Sequence, residues 1–410
     1  MSNTAKQIDI VIIPFHDYKK WISEGFRTRD AHLAEHFCND DRVRKVLVIN
    51  RPTSLAEIIL KRKSWKTQCS GSEVIIKKKD AQIVKFNSKM YCLDMYKPDT
   101  LRVIKERKMW WFSAFQSESV IESIRWAIDK LNLNNTVLLL QNPMAIGVVD
   151  NLSYDCFAFD AIDNWLYHPQ MKSNHAVIEE NYKFVENNAD TIFTVSNALV
   201  ETFKSNKNVH WMPNGVDTDY FQSAIKSEIL DKIKIGYVGK IQERVDFDIV
   251  EECLKRFPNY IFVFMGPVFS QKKRIKDLGN LYSNVTFTGD IHYKDLPNKL
   301  KDIDVAIIPH RIDEFTDSMN PLKLYEYLAA GKCVVTTQVA GTAQVSPYVF
   351  ETSVNGFVDM LEGVIDKYKK GALVPEDIRN SLPLEYSWTY RSKMILNVLE
   401  HVLESKQGDE

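Results

Sequence analysis

Residues 304–337 read DVAIIPHRIDEFTDSMNPLKLYEYLAAGKCVVTT. Asp304 to Pro309 is a short apolar run that stops at a proline, the pattern of a buried strand. After a polar loop, Asn320 is a good helix N-cap, and Pro321 takes the first helical position, where no N–H is lost. Leu322, Tyr325 and Leu328/Ala329 recur at helical spacing, Gly331 supplies a left-handed stop, and CVVTT resumes a buried strand. A helix that begins in a loop after a strand offers unpaired N–H groups and a positive dipole end to an anion, most often phosphate. Lys323 adds a cation in the first turn, and Glu326 lies a turn further in, placed for a sugar hydroxyl. An ordinary ligand-free βαβ unit has the same outline, so the assignment depends on the rest of the chain.

The rest of the chain alternates in the same way. Strand patterns fall at 7–15, 44–50, 136–143, 156–163, 191–196 and 209–215, with helical patterns at 27–38, 117–131, 144–152, 174–188 and 197–205. The stretch between 50 and 117 reads as an irregular basic region. A second set has strands at 233–240, 260–267, 284–290, 304–309 and 333–337, and helices at 246–256, 271–279, 294–302 and 321–330. Short apolar strands separated by helices predict parallel, doubly wound sheets. The polar stretch 214–232 reads as the linker between two Rossmann-like domains, whose ligands would lie at the carboxyl ends of the strands.

Three stretches carry a family resemblance: TVSNALVETF with VHWMPNGVDTDYF (194–221), GYVGK with a following Arg (236–244), and PLKLYEYLAAG (321–331). The chain resembles the GT-B glycosyltransferases of the glycogen-synthase-like clan. It is nearest to the teichuronic-acid and xanthan-type polysaccharide transferases, whose D-S-M…K-L-x-[EQ]-Y pattern matches Asp317, Ser318, Met319, Lys323, Leu324, Glu326 and Tyr327. The resemblance implies three parts: an acceptor-binding domain over 1–213, a donor-binding domain over 214–386 facing it across a cleft, and a terminal helix over 387–410 crossing back to the first domain. It also implies a UDP- or GDP-linked sugar as donor, with no further cofactor. Gly239, Lys240 and Arg244 would then bind the diphosphate with Asn320, Leu322 and Lys323, while Glu326 holds the ribose. Two cations at a strand-end turn suit a diphosphate leaving group. In the clan, Glu326 ends a pair with seven residues between its members. The other position here is Ser318, with Asp317 beside it, which leaves the stereochemical outcome open.

The segment FDAIDNWLYHP (159–169) ends the strand that would face the acceptor. Glycosyl transfer needs the acceptor hydroxyl deprotonated, by a carboxylate base or by the departing phosphate. Asp163 is the candidate base by its resemblance to the xanthan-type enzymes. Asp160 lies within the buried apolar run, and either aspartate also suits a loop cap. His16, Arg29 and Asn164 are candidate contacts to acceptor or phosphate.

Composition bounds the alternatives. The 410 residues are 45% hydrophobic and 26% charged, with a net charge of −1, as in soluble globular proteins of two ordinary domains. The start, MSNTAKQIDIVIIPF, lacks the basic and apolar regions of a secretory signal, and the six cysteines are scattered with no C-x-x-C. Both point to a reducing, cytoplasmic setting. The D-x-D triplets at 217–219, 246–248 and 302–304 fall in the linker, at a helix start and at a strand entry, so no metal is expected. Residues 42–108 hold 18 Lys/Arg against 6 Asp/Glu, including KRKSWK (61–66) and LRVIKERKMWWF (101–112). Such a region suits an anionic membrane surface or a lipid-phosphate acceptor. It also suits a solvated surface with Trp110 and Trp111 in the core; nucleic acid fits the charge but is not expected. The leading expectation is a cytoplasmic transferase of surface-polysaccharide assembly, peripheral at the membrane, using a glycan or lipid-linked glycan acceptor. A sugar-nucleotide epimerase of the same fold and a catalytically weak binding subunit are the alternatives.

Overall fold

The computed structural model describes residues 7–225, 232–342 and 344–408. Residues 226–231 of the expected linker therefore lie outside the described residues, as do the ends 1–6 and 409–410. The chain divides into two compact units, residues 1–212 with 392–410 and residues 213–391.

The first unit is built on ten strands: β1 Ile8–Ile13, β2 Val43–Ile49, β3 Thr53–Ser54, β4 Glu73–Lys77, β5 Ala81–Lys85, β6 Met90–Lys97, β7 Thr136–Leu140, β8 Cys156–Ala161, β9 Thr191–Thr194 and β10 Val209–Trp211. They run in the order β10-β9-β8-β7-β1-β2-β6-β5-β4, with β3 paired to β6. In β1 every residue is buried, as a central parallel strand covered on both faces requires, and Ile10 is in register with Val46 and Val137. The buried Asp9 on this strand accepts hydrogen bonds from the Arg44 guanidinium and from the Asn134 N–H.

Two expectations are corrected here. The basic region after residue 50 is not irregular. It folds into the antiparallel meander β4-β5-β6 and the helices Leu55–Lys61, Leu101–Glu106 and Met109–Phe115. The edge strand β4 ends in the charged residues Glu73 and Lys77, both exposed, and edge strands carry such charge to prevent pairing with other chains. The helix expected over 144–152 is a 3-10 segment, Pro143–Asn151, capped by the Asn142 side chain on the Met144 N–H. A helix the sequence did not announce, Tyr18–Glu24, precedes Arg29–Cys38. The last helix, Trp388–Gly408, contributes its residues from Ser392 onward to this unit. There Arg42 donates to Asn397 and Glu400 at 2.7 and 2.8 Å, and Lys406 pairs with Asp190 at 2.7 Å.

The second unit is a parallel sheet of β11 Lys234–Val238, β12 Ile261–Met265, β13 Val285–Gly289, β14 Val305–Ile308, β15 Cys333–Thr337 and β16 Val349–Thr352, in the order β13-β12-β11-β14-β15-β16. The chain runs outward from β11 to β13, then returns to lay β14 beside β11. That is a topological switch point, where the loops leaving two neighbouring strands diverge and open a crevice for ligand. The strand β16 and the helix Phe357–Lys369 had no counterpart in the sequence reading.

Candidate functional site

The loops that leave β11 and β14 meet at this switch point. The Asp246 N–H donates to the Pro309 carbonyl and the Arg311 N–H to the Arg244 carbonyl, both at 2.8 Å. Two glycines shape the floor. Gly239 follows β11 at φ 128° and Gly266 follows β12 at φ 150°, conformations that a side chain disfavours. A Cβ on Gly266 would lie 2.0 Å from the Gly239 carbonyl oxygen, so the two turns touch through bare backbone. A Cβ on Gly239 would lie 2.9 Å from Lys323 Nζ. The missing side chain is what lets that ammonium approach the turn.

Lys323 belongs to the helix Leu322–Ala329, seven of whose eight residues are buried. Gly331, at φ 69°, ends it with a Schellman pair: the Gly331 N–H to the Leu328 carbonyl, and the Lys332 N–H to the Tyr327 carbonyl. The Tyr327 hydroxyl accepts the Val238 N–H at 2.6 Å and so fixes the helix to the end of β11. The helix start differs from expectation. Its N-cap is Pro321, with no side-chain cap bond. Asn320 is used otherwise: its side chain accepts the Asn214 N–H at 2.9 Å and donates to the Tyr325 hydroxyl at 2.9 Å, while its carbonyl accepts from the Asn214 amide. Asn320 therefore fixes the entry to the helix through tertiary bonds, leaving the first amides of the helix without an intrahelical acceptor.

The electrostatics of this pocket are lopsided. Lys323 Nζ donates to the Tyr237 hydroxyl at 2.8 Å and lies 4.1 Å from the centre of that ring. Burial, then the nearby Arg244 guanidinium, hold its ammonium well below the ordinary lysine range, with Glu326 pulling the other way. His310 is buried beside it, with Nε2 3.4 Å from the same hydroxyl. Burial, then Lys323 and Arg244, push the imidazole well below its usual range. The Arg244 Nε is buried without a hydrogen-bond partner. Lys240 lies over the Phe269 ring at 5.8 Å. Glu326, 5% exposed, is the acid of the group; its charge and burial raise the neighbouring Tyr293 hydroxyl, burial being the larger cause. Tyr293 stacks on Tyr220 with ring centres 5.1 Å apart. Cations crowded at strand ends suit a dianionic ligand.

Gly239, Lys323, Arg244 and Glu326 thus come together, with Asn320 and Leu322 at the helix entry and Lys240 on the turn. Tyr237, Gly266, His310 and Tyr293 join them and were missed. A glycine closing the strand pattern YIFVFMGP was the one signal present for any of these. Ser318, at the place of the absent first acid, is buried and donates to the Glu314 and Phe315 carbonyls, while Asp317 faces solvent. One aspartate of each D-x-D triplet has protein partners of its own. Asp246 caps the helix Phe247–Arg256, Asp304 accepts the Lys234 N–H and the Tyr368 hydroxyl, and Asp219 pairs with Arg379.

In the first unit, Asp160 and Arg29 form a buried fork. The Arg29 Nε and Nη2 donate to the carboxylate at 2.8–3.1 Å, and the Gln141 amide adds a bond at 2.8 Å. Arg29 is 4% exposed, and its guanidinium is engaged in this pairing. Asp163 is half-buried beyond the end of β8, and its Oδ1 accepts the Asn164 N–H at 3.0 Å. Asn164 is itself buried and closes a turn onto the Leu166 N–H. The His16 N–H donates to Asp30 at 2.9 Å, with the ring 3.5 Å from the same carboxylate. Burial acts against the Asp30 charge, but hydrogen bonds from His16 and Thr28 prevail and hold its carboxyl below the usual range. His16 lines a cavity of about 670 Å³ in this unit.

Comparison with known proteins agrees with this architecture. Residues 232–367 match the family of glycosyl transferases group 1. A putative teichuronic acid biosynthesis glycosyltransferase, TuaH of Bacillus subtilis (strain 168), is 29% identical over 218 residues, which is 48% of this chain and 55% of that protein's length. Sucrose-phosphate synthase from Thermosynechococcus elongatus superposes with a TM-score of 0.70 at 12% identity, over 98% of this chain and 100% of that one. HepE of Anabaena, solved in complex with UDP and glucose, superposes with a TM-score of 0.63 at 12% identity, over 95% and 98% of the two chains.

Proposed function

We propose that this GT-B protein, whose residues 232–367 are of the group 1 glycosyl transferase family, moves a sugar from a nucleotide-sugar donor to a glycan or lipid-linked glycan in surface-polysaccharide assembly. The observation that carries the reading is the group of cations at the second unit's switch point, Lys323 buried and Lys240 and Arg244 half-buried. Lys323 is held off its ordinary pKa by burial and by Arg244, and it lies against the bare backbone of the Gly239 turn. The diphosphate of a UDP- or GDP-linked sugar is the kind of anion that such cations bind. The clan resemblance assigns the ribose to Glu326. HepE, of similar fold, was solved with UDP, which supports this class of donor.

In the proposed reaction the acceptor oxygen attacks the anomeric carbon, and the bond from that carbon to the diphosphate oxygen breaks. Lys240, Arg244, Lys323 and the helix amides stabilise the charge that collects on the diphosphate, so no divalent metal is required. Asp163 takes the acceptor's proton, and a single displacement of this kind inverts the anomeric centre. Among the described residues, no helix is long and apolar enough to cross a membrane. We place the protein in the cytoplasm, with the basic region of the first unit drawn to the anionic inner face of the membrane. The test is a panel of nucleotide sugars incubated with the purified chain and an extract of lipid-linked glycans. Release of nucleoside diphosphate matched by sugar on the acceptor supports the reading. Conversion of the nucleotide sugar alone would make the chain an epimerase, and binding without turnover would make it a binding subunit.

A further inference from the structure

Two cavities in the first unit adjoin. The larger, about 670 Å³, is lined by five cations, Lys19, Lys20, Arg51, Lys63 and Lys66, against the two carboxylates Asp17 and Glu24. The smaller, about 410 Å³, has the apolar walls Leu60, Val103, Ile104 and Trp110. Arg51, Lys63 and Trp111 line both, and Glu57, Lys61, Arg107 and Lys108 complete the smaller, so one shared boundary joins a basic chamber to a second whose aliphatic wall is itself rimmed by cations. Each falls within the roughly 300–1,000 Å³ of small-molecule sites.

That boundary is firmly built. The Arg51 guanidinium lies 4.9 Å over the Trp111 ring and donates to Glu57 at 2.8 Å, and Lys63 Nζ is 3.8 Å from the same carboxylate. Two cations therefore share one acid. Burial, then Arg51, push the Lys63 ammonium below its ordinary range, so an anion placed there would relieve it. The segment carrying Lys63 and Lys66 is anchored from beneath. The fully buried Asp94 accepts the Thr67 N–H and hydroxyl at 2.6 and 2.7 Å, the Asn50 amide at 2.7 Å and the Gln82 amide at 2.8 Å. Beside the apolar chamber, the helices Leu55–Lys61 and Leu101–Glu106 turn four aliphatic side chains outward: Ile59, Leu60, Leu101 and Ile104 are 63%, 70%, 79% and 59% exposed. Aliphatic exposure next to Lys61, Arg107 and Lys108 favours an apolar ligand with an anionic head.

We infer that the two cavities form one binding site for an amphiphilic phosphate, with the anionic head in the basic chamber and the hydrocarbon chain in the apolar one, leaving past Leu60 and Ile104. This rests on the reading of the protein as a transferase with a lipid-linked acceptor, and it specifies which residues hold that acceptor's phosphate and chain.

The test is calorimetry on the full chain with three soluble probes: n-octyl phosphate, inorganic phosphate and n-octanol. Octyl phosphate should bind at least about tenfold more tightly than either of the others, a difference of about 1.4 kcal/mol. Lys63→Gln should weaken octyl phosphate and inorganic phosphate alike by roughly tenfold, and Ile104→Ser should weaken octyl phosphate alone by a similar factor. Circular dichroism of both variants should match the parent. UDP titrated into the same preparation keeps the two readings apart. UDP binding without preference for octyl phosphate overturns this inference and leaves the proposed function standing; failure of both probes removes both. Binding to phosphatidylglycerol vesicles that octyl phosphate competes away assigns a lipid headgroup to this site. Vesicle binding that octyl phosphate does not disturb makes the region a plain membrane contact and overturns the two-chamber site.

Discussion

Replacing Lys323 by Met keeps the unbranched stem and removes the amine that the second unit has buried. The variant loses one hydrogen bond to the Tyr237 hydroxyl, which retains contacts with the Lys240 carbonyl and His310. That loss costs about 1 kcal/mol. Against it stands relief from holding an ammonium, 9% exposed, next to Arg244, where burial of an under-compensated charge costs several kcal/mol. The variant should therefore be at least as stable as the parent at pH 7. Its affinity for a nucleoside diphosphate should fall by about 1.5–3 kcal/mol, the worth of a charged hydrogen bond, or roughly 10- to 150-fold. The pH dependence has a definite sign. Between the depressed value of Lys323 and the ordinary lysine range, the unfolded chain binds the proton that the folded chain releases. Parent stability therefore rises with pH across that window, and the Met variant's advantage shrinks as pH rises. A bound diphosphate raises the pKa of the amine again, so binding within the window takes up a proton. Calorimetry in buffers of different ionisation enthalpy reads that uptake, which the Met variant should lack. A Lys323→Met protein that melts several degrees lower and binds UDP and GDP as the parent does would refute the reasoning, because Lys323 would then be a packing residue.

Glu326→Ala, assayed by the same titrations, should weaken nucleoside diphosphate binding by roughly tenfold or more through loss of ribose hydrogen bonds; undiminished affinity with an intact fold would remove the acid from the donor site. Asp163→Asn keeps size and polarity but cannot accept a proton, and should lower turnover by about 10²–10⁴-fold with donor affinity nearly unchanged. Near-normal turnover would shift deprotonation to the departing phosphate. Transfer should persist in excess EDTA, since the proposed reaction assigns the leaving-group charge to cationic side chains; loss of activity with rescue by Mg²⁺ or Mn²⁺ would contradict that assignment.

The parallel strands were legible because their fully buried runs, such as IDIVII and CVVTT, leave no other reading. The meander β4-β5-β6 was not, because its edge strand is exposed and lysine-bearing, and a run like KKKD carries no period-two signal. The donor helix was readable from Gly331 and the spacing of its apolar face. Its cap was not, because the preference of Asn for N-caps was outweighed by tertiary bonds to Asn214, 106 residues away, together with a bond to the Tyr325 hydroxyl. The same holds for Arg29, whose partner Asp160 lies 131 residues away. His310 and Tyr237 were hidden for a related reason: each sits in or beside an apolar strand run, where a polar ring reads as core. Their importance comes from Lys323 and Arg244, which only the switch-point topology brings to them.

The most direct test of the central claim follows one labelled sugar. The purified chain is given a UDP- or GDP-sugar carrying ¹³C at the anomeric carbon, together with lipid-linked glycan acceptor, and the product is read by mass spectrometry and NMR. The account predicts that the label appears in a new glycosidic bond with inverted anomeric configuration, in step with release of nucleoside diphosphate. Label that stays on the nucleotide, unchanged or epimerised, under conditions where the donor is bound would contradict it.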